Sequence, residues 1–149
     1  VTIFVIIAGA KIFGKAISLY RIPQDLSAFI VTNITEQGMF IFVVAITLLI
    51  LGFIMETLSL ILIMMPIFSI SIAAMNIDLI WFGIVTVIAV EVGLLTPPLG
   101  ISVFVIKSSL DDKSISLGDI FLGAAPFAVM MVVVLFLVIS SPILTTALL

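Results

Sequence analysis

Glu91-Val92-Gly93-Leu94-Leu95-Thr96-Pro97-Pro98-Leu99-Gly100 gathers a carboxylate, a hydroxyl, two glycines and a double proline in one short stretch. Proline donates no backbone hydrogen bond and clashes with the turn before it, so a regular helix cannot pass through Pro97-Pro98. The Thr96 hydroxyl and the carbonyls freed by such a break are hard oxygen ligands, suited to a hard cation such as sodium. A helix that merely kinks is the alternative. The clustering of Gly93, Thr96, Pro97, Pro98 and Gly100 favours a full break.

Two carboxylates accompany the breaks. Glu91 lies just before the Thr-Pro-Pro element. A charge at bilayer depth costs at least about 2.5–3.5 kcal/mol, so it needs a reason to be there. It fits a cation or proton site, a salt bridge to a base such as Lys11, or a structural carboxylate that accepts hydrogen bonds from unwound backbone. Glu56 follows Gly52 by four residues. At a helix start it would complement the positive end of the helix dipole, or it would face a transport pathway. Gly52 marks a second discontinuity, where close backbone approach is possible.

These residues sit in a chain that only a bilayer suits. Of 149 residues, 64% are hydrophobic and 9% charged, and the mean hydropathy is +1.61. Soluble domains carry about 25% charged residues, so this chain could not cover a water-facing surface. It has neither Cys nor His, which removes thiol chemistry, disulfides and most zinc sites. No nucleophile–base pair stands out. The net charge of −3, with no basic cluster, argues against nucleic acid as a partner. Val1 lies within an apolar run without an initiator Met or a charged leader, the reading of a fragment with more membrane sequence upstream.

Residues 1–20 are expected to form a membrane helix carrying Lys11 and Lys15 on one face, where both can snorkel to the headgroups. Arg21 to Asp25 ends it, and residues 25–35 read as an interfacial connector. Residues 38–75 are apolar but punctuated at Gly52–Glu56. Each half is barely as long as a ~30 Å hydrocarbon core, which fits a tilted helix pair or a re-entrant hairpin. Pro66 is expected to kink the second half. Leu79 to Val92 and Leu99 to Leu110 are half-helices around the Thr-Pro-Pro break. After the polar loop Asp111-Asp112-Lys113, Ile120 to Leu149 reads as the last transmembrane helix. The organisation is thus 1–37 for a membrane helix and connector, 38–110 for two broken segments with breaks near 52–56 and 93–98, and 111–149 for a loop and final span. Paired interrupted segments are a sequence pointer to a transporter binding site.

Three local patterns resemble one family. Gly52-Phe53-Ile54-Met55-Glu56 is similar to its glycine–apolar–acid break. Asp78-Leu79-Ile80-Trp81-Phe82-Gly83-Ile84 is similar to its acid-x-x-aromatic-Phe-Gly entry, and Glu91 to Gly100 looks like its acid-x-Gly-x-x-Thr-Pro-Pro-x-Gly motif. The family is the large membrane subunit of TRAP, or tripartite ATP-independent periplasmic, transporters, and the resemblance covers nearly the whole chain. It departs from the pattern at Glu56, where an aspartate is common, and at Lys11, where a small or polar residue is usual.

The resemblance implies an all-α integral membrane protein, a multi-span transporter fragment with discontinuous or re-entrant helices of the elevator type. It implies sodium-coupled uptake of a small organic acid anion, of C4-dicarboxylate or sugar-acid type, in the bacterial inner membrane. The implied partners are membrane lipid, a small four-helix membrane subunit, a periplasmic substrate-binding protein and the N-terminal part of the same subunit. Sodium is the coupling ion, with no organic cofactor. Its site would be formed mainly by backbone carbonyls at Gly52, Gly93, Thr96 and Leu99. Substrate contacts are expected at Glu56, Thr57, Pro97, Pro98 and Gly100. The chain by itself is not expected to transport. Other readings are a single-component dicarboxylate or gluconate-type permease, a membrane-integral enzyme and a structural membrane subunit.

Overall fold

A computed structural model describes residues 2–97, 100–110 and 114–146. Among them every regular element is helical: α1 (Thr2–Leu19), α2 (Ile22–Asn33), α3 (Gln37–Gly52), α4 (Thr57–Ala74), α5 (Leu79–Leu95), α6 (Ile101–Ser109), α7 (Leu117–Ser140) and the single turn α8 (Ile143–Thr146).

The chain turns sharply at Arg21, which adopts a left-handed backbone (φ 59°, ψ 18°). The connector therefore starts earlier than the sequence suggests, at Ile22, with Pro23 in the first turn, where a missing N–H costs nothing. The two helices are bent by 66°. Pro66 lies inside α4 without ending it, and its ring packs against Gly14 of α1.

The final apolar run departs most from expectation. Its helix begins three residues before Ile120 because Ser116 and Asp119 form a capping box. Asp119 N–H donates to Ser116 Oγ at 3.2 Å, and Ser116 N–H donates to Asp119 Oδ2 at 2.8 Å, so two amides of the first turn are satisfied. The helix stops at Ser140 because the residue before a proline is pushed out of the helical region. Ser141, preceding Pro142, has φ −137° and ψ 87°.

The core is built from α3, α4 and α5. Gln37 at the start of α3 donates to the Met75 carbonyl at the end of α4 at 2.9 Å, so these helices form a hairpin whose tip is residues 53–56. The hairpin closes on α5 through Phe40, Phe68 and Phe82, which meet edge to face at 6.2 and 6.5 Å between ring centres. Ile41, Leu48, Leu60, Ala89 and Val90 are fully enclosed. The outside is as apolar as the inside: α7 exposes Leu122, Phe127, Met130 and Phe136, and only 11% of its most hydropathic stretch is buried. An apolar surface of this extent calls for lipid or partner helices. Among the described residues, two helices are long and apolar enough to cross a bilayer, or three if the bent α1–α2 pair counts as one span.

The indole of Trp81, at the start of α5, donates to the Val138 carbonyl at 2.8 Å within the buried interior. Val138 lies in the last turn of α7, where carbonyls have no partner within the helix. Trp81→Phe keeps most of the apolar volume and leaves that carbonyl unsatisfied, a loss of ~1–3 kcal/mol. The thermal unfolding midpoint of the detergent-solubilised full-length subunit should fall. An unchanged midpoint would mean that Val138 is satisfied in another way.

Candidate functional site

The two breaks meet. α3 and α5 run side by side in the same direction and touch at Gly52 and Gly93, both buried. A Cβ on Gly93 would lie 2.5 Å from the Leu49 carbonyl oxygen and 2.9 Å from Gly52 Cα, and one on Gly52 would lie 2.9 Å from the Val90 oxygen. Backbone rests directly on backbone, and no other residue type fits at either position.

Helix C-termini carry partial negative charge on their unpaired carbonyls. Here two such ends are adjacent, and neither has a basic residue in its last turn. After Gly52 the chain makes only tight turn bonds, from Phe53 N–H to Ile50 and from Ile54 and Met55 N–H to Leu51. Among the described residues, no backbone amide reaches the carbonyls of Gly52, Phe53 or Ile54, nor those of Leu94, Leu95 or Thr96. The result is a small region rich in acceptors and poor in donors.

Thr96 ends α5 with an extended backbone (φ −95°, ψ 137°), as the following proline requires. Its N–H donates to the Gly93 carbonyl at 3.1 Å, so that carbonyl keeps one lone pair in play. Its hydroxyl donates to the Val92 carbonyl at 2.6 Å. A hydroxyl that has donated its proton still offers its lone pairs to a cation. Gly100 re-enters helix with φ 38°, a left-handed conformation that favours glycine. The Phe121 ring lies 2.8 Å from where its Cβ would be, so α7 covers this side of the break.

The hairpin tip supplies both remaining polar groups. Glu56 is exposed and caps α4: its carboxylate accepts from Leu58 N–H at 3.1 Å, from Ser59 N–H at 2.8 Å and from Ser59 Oγ at 2.6 Å. The positive end of α4 is thus already occupied by a carboxylate of the chain itself. Thr57 Oγ1 donates to Glu91 Oε1 at 2.8 Å.

Of the positions read from the sequence, Gly52, Gly93 and Thr96 come together, with Glu56 and Thr57 on the adjoining tip. Pro97 is exposed beside Thr96, at the edge of an apolar cavity of about 450 Å³ against α7. Pro98 and Leu99 lie outside the described residues. A Glu91–Lys11 salt bridge does not form: Lys11 is exposed on α1, a helix that packs mainly on α4 and α2, and Glu91 holds Thr57 instead. Sequence reasoning missed the Thr57–Glu91 bond and the Phe121 cover. No linear spacing signals either one. Among the described residues there is no cluster of three or more acidic, His or Cys side chains that could hold a metal, so a cation here would rely on backbone and hydroxyl oxygens.

Residues 1–144 match the family described as the tripartite ATP-independent periplasmic transporter, DctM component. The chain belongs to this family. It is similar to the C4-dicarboxylate TRAP transporter large permease protein of Pseudomonas aeruginosa, with 35% identity over 96% of this chain and 33% of that protein. It is similar to a putative TRAP large permease of Haemophilus influenzae, at 30% identity over 91% of this chain and 33% of that protein. The sialic acid TRAP large permease of Vibrio cholerae is 28% identical over 91% of this chain and 31% of that protein. The chain thus spans about a third of the length of these relatives. No solved structure matches it.

In this TRAP subunit the contact between the breaks can be tested with two glycines of one helix. Gly93→Ala should abolish uptake or assembly of the full-length subunit, because the new methyl meets backbone that cannot yield. Gly83→Ala on the same helix meets nothing within 4 Å and should be neutral or slightly stabilising, since alanine favours helix by roughly 1 kcal/mol. Equal behaviour of the two in membrane yield and uptake would contradict the backbone contact.

Proposed function

We propose that this chain is the ion-binding part of the large subunit of a sodium-coupled importer of small organic acid anions. One observation supports the reading above the others: two helix C-termini end side by side at Gly52 and Gly93, and among the described residues no backbone amide reaches the carbonyls of Gly52, Leu94, Leu95 or Thr96. Sodium is bound by neutral oxygens of this kind, as in other transporters with unwound helices. The carbonyls of Gly52 and Gly93, the oxygens of Thr96 and the carbonyl of Leu99 are the proposed ligands. A cation held there would offset the charge of an arriving anion, and by linkage each would raise the affinity for the other.

The relatives' names support the cargo class, since they include C4-dicarboxylate, sialic acid and isethionate transporters. Each is a small organic anion, and we favour a C4-dicarboxylate or sugar acid. Glu56, Thr57, Pro97, Pro98 and Gly100 are the proposed substrate contacts from this part of the subunit. A carboxylate cargo approaching α4 would have to displace or avoid Glu56, which fills the helix end. The full assembly would contain the rest of the large subunit, a small four-helix membrane subunit and a periplasmic binding protein. It would lie in the bacterial inner membrane and work as an elevator, the broken helices moving as one body with ion and cargo.

The test is uptake into liposomes holding the full-length subunit and its partners, with and without an inward sodium gradient. Wild type should require sodium. Thr96→Ala removes a hydroxyl oxygen and should raise the half-saturating sodium concentration by about tenfold, the equivalent of roughly 1.4 kcal/mol. Uptake that persists unchanged when potassium replaces sodium would refute the coupling.

A further inference from the structure

We propose that Glu91 is a positioning residue for this site: by accepting the Thr57 hydroxyl proton it fixes the hairpin tip against α5 and sets where the tip carbonyls lie. The inference rests on the sodium-coupled reading above.

The tip leaves α3 at Gly52 and becomes helical again at Thr57. Both of its ends are tied to the same helix. Gly52 rests on Gly93, and Thr57 is bonded to Glu91 at 2.8 Å. Gly93 and Glu91 are two positions apart on α5, so the intervening residues 53–56 are bracketed at both ends. A short segment held in this way has little conformational entropy left to lose when it closes around an ion. Without the second tie the tip would be held by the glycine contact, its own turn bonds and the packing of Met55 on the core, with its far end at Thr57 no longer tied to α5.

The bond is not incidental. It joins side chains 34 positions apart and is partly buried, whereas the other polar side chains of the site bond locally: Glu56 to its own helix start, Thr96 to Val92. A carboxylate acceptor makes such a bond about twice as strong as a neutral pair. Two other roles for Glu91, a direct ion ligand and a proton carrier, both need its charge. Positioning needs only an acceptor within reach of Thr57. The roles can therefore be separated. Glu91→Gln keeps an acceptor oxygen and loses the charge. Thr57→Val keeps the charge and loses the donor.

The experiment uses the full-length subunit with its partner subunits in liposomes, measuring sodium-driven uptake for wild type, Thr57→Val, Thr57→Ser and Glu91→Gln. A second readout is the rate at which Ile54→Cys, at an exposed tip position, is labelled by a water-soluble thiol reagent in a subunit otherwise free of cysteine. Thr57→Val should raise the half-saturating sodium concentration by at least ~5-fold, part of the ~10-fold or more that a lost charge-assisted hydrogen bond represents. It should also speed labelling at the tip. Glu91→Gln, which keeps a neutral and therefore weaker acceptor, should fall between wild type and Thr57→Val in half-saturating sodium, and Thr57→Ser, which keeps the hydroxyl donor, should label at the tip no faster than wild type. If Thr57→Val does not reach the membrane, Glu91→Ala judged against Glu91→Gln removes the same bond from the other side and carries the same expectation. Loss of sodium dependence in Glu91→Gln with Thr57→Val unaffected would overturn the proposal and make the charge itself the working group. Wild-type uptake indifferent to sodium would refute the coupling instead. The labelling would then decide the positioning role alone, faster tip labelling in Thr57→Val upholding it and an unchanged rate overturning it.

Discussion

The contact of Gly52 with Gly93 is the constraint on which this arrangement depends. In water, burying Leu48 or Val90 would itself drive helices together. In a bilayer the lipid tails are as apolar as those side chains, and that drive disappears. What remains is dispersion, which rewards close approach and is forfeited by small gaps. Two glycines let α3 and α5 approach until the Leu49 carbonyl occupies the place of a Gly93 side chain. The same approach sets two helix C-termini next to each other, an arrangement that electrostatics alone would disfavour. On the sodium-binding reading proposed above, a cation would offset that gathering of partial negative charge.

The surrounding elements keep that approach in place. At the opposite end of the bundle, Gln37 holds the open end of the hairpin to Met75, and Trp81 holds α5 to the last turn of α7. At the site end, Phe121 of α7 presses over Gly100. Glu56 serves α4 by satisfying amides that a helix start leaves open. The hairpin is thus fixed at its base by polar bonds and at its tip by backbone contact and the Thr57–Glu91 pair. Its flanks are held by apolar packing, which tolerates sliding better than hydrogen bonds do.

Much of the fold was legible along the chain. The breaks after Gly52 and at Thr96-Pro97 appear where glycine and proline place them, and the polar turn at Asn76-Ile77-Asp78 separates α4 from α5 as read. The errors lie where a local signal was undervalued. Ser116-Leu117-Gly118-Asp119 is a capping box, and it starts α7 before the apolar run does. Ser141-Pro142 ends that helix within a stretch whose hydropathy never falls. Pro66 stays inside α4, its ring packed against Gly14 of α1.

The sequence by itself determined the class of the protein, the position of its breaks and the polar groups beside them. Each of these is a local matter: composition chooses the solvent, and proline, glycine and capping residues act on their own turn. Only the tertiary structure decided that the hairpin tip meets the second break, that Glu91 holds Thr57 rather than Lys11, and that Phe121 covers Gly100. The physical reason is that α3, α4 and α5 are apolar on every side. A helix with no polar face carries no periodic record of which face turns inward. That choice falls to steric fit between distant residues, and steric fit is settled only when the helices pack.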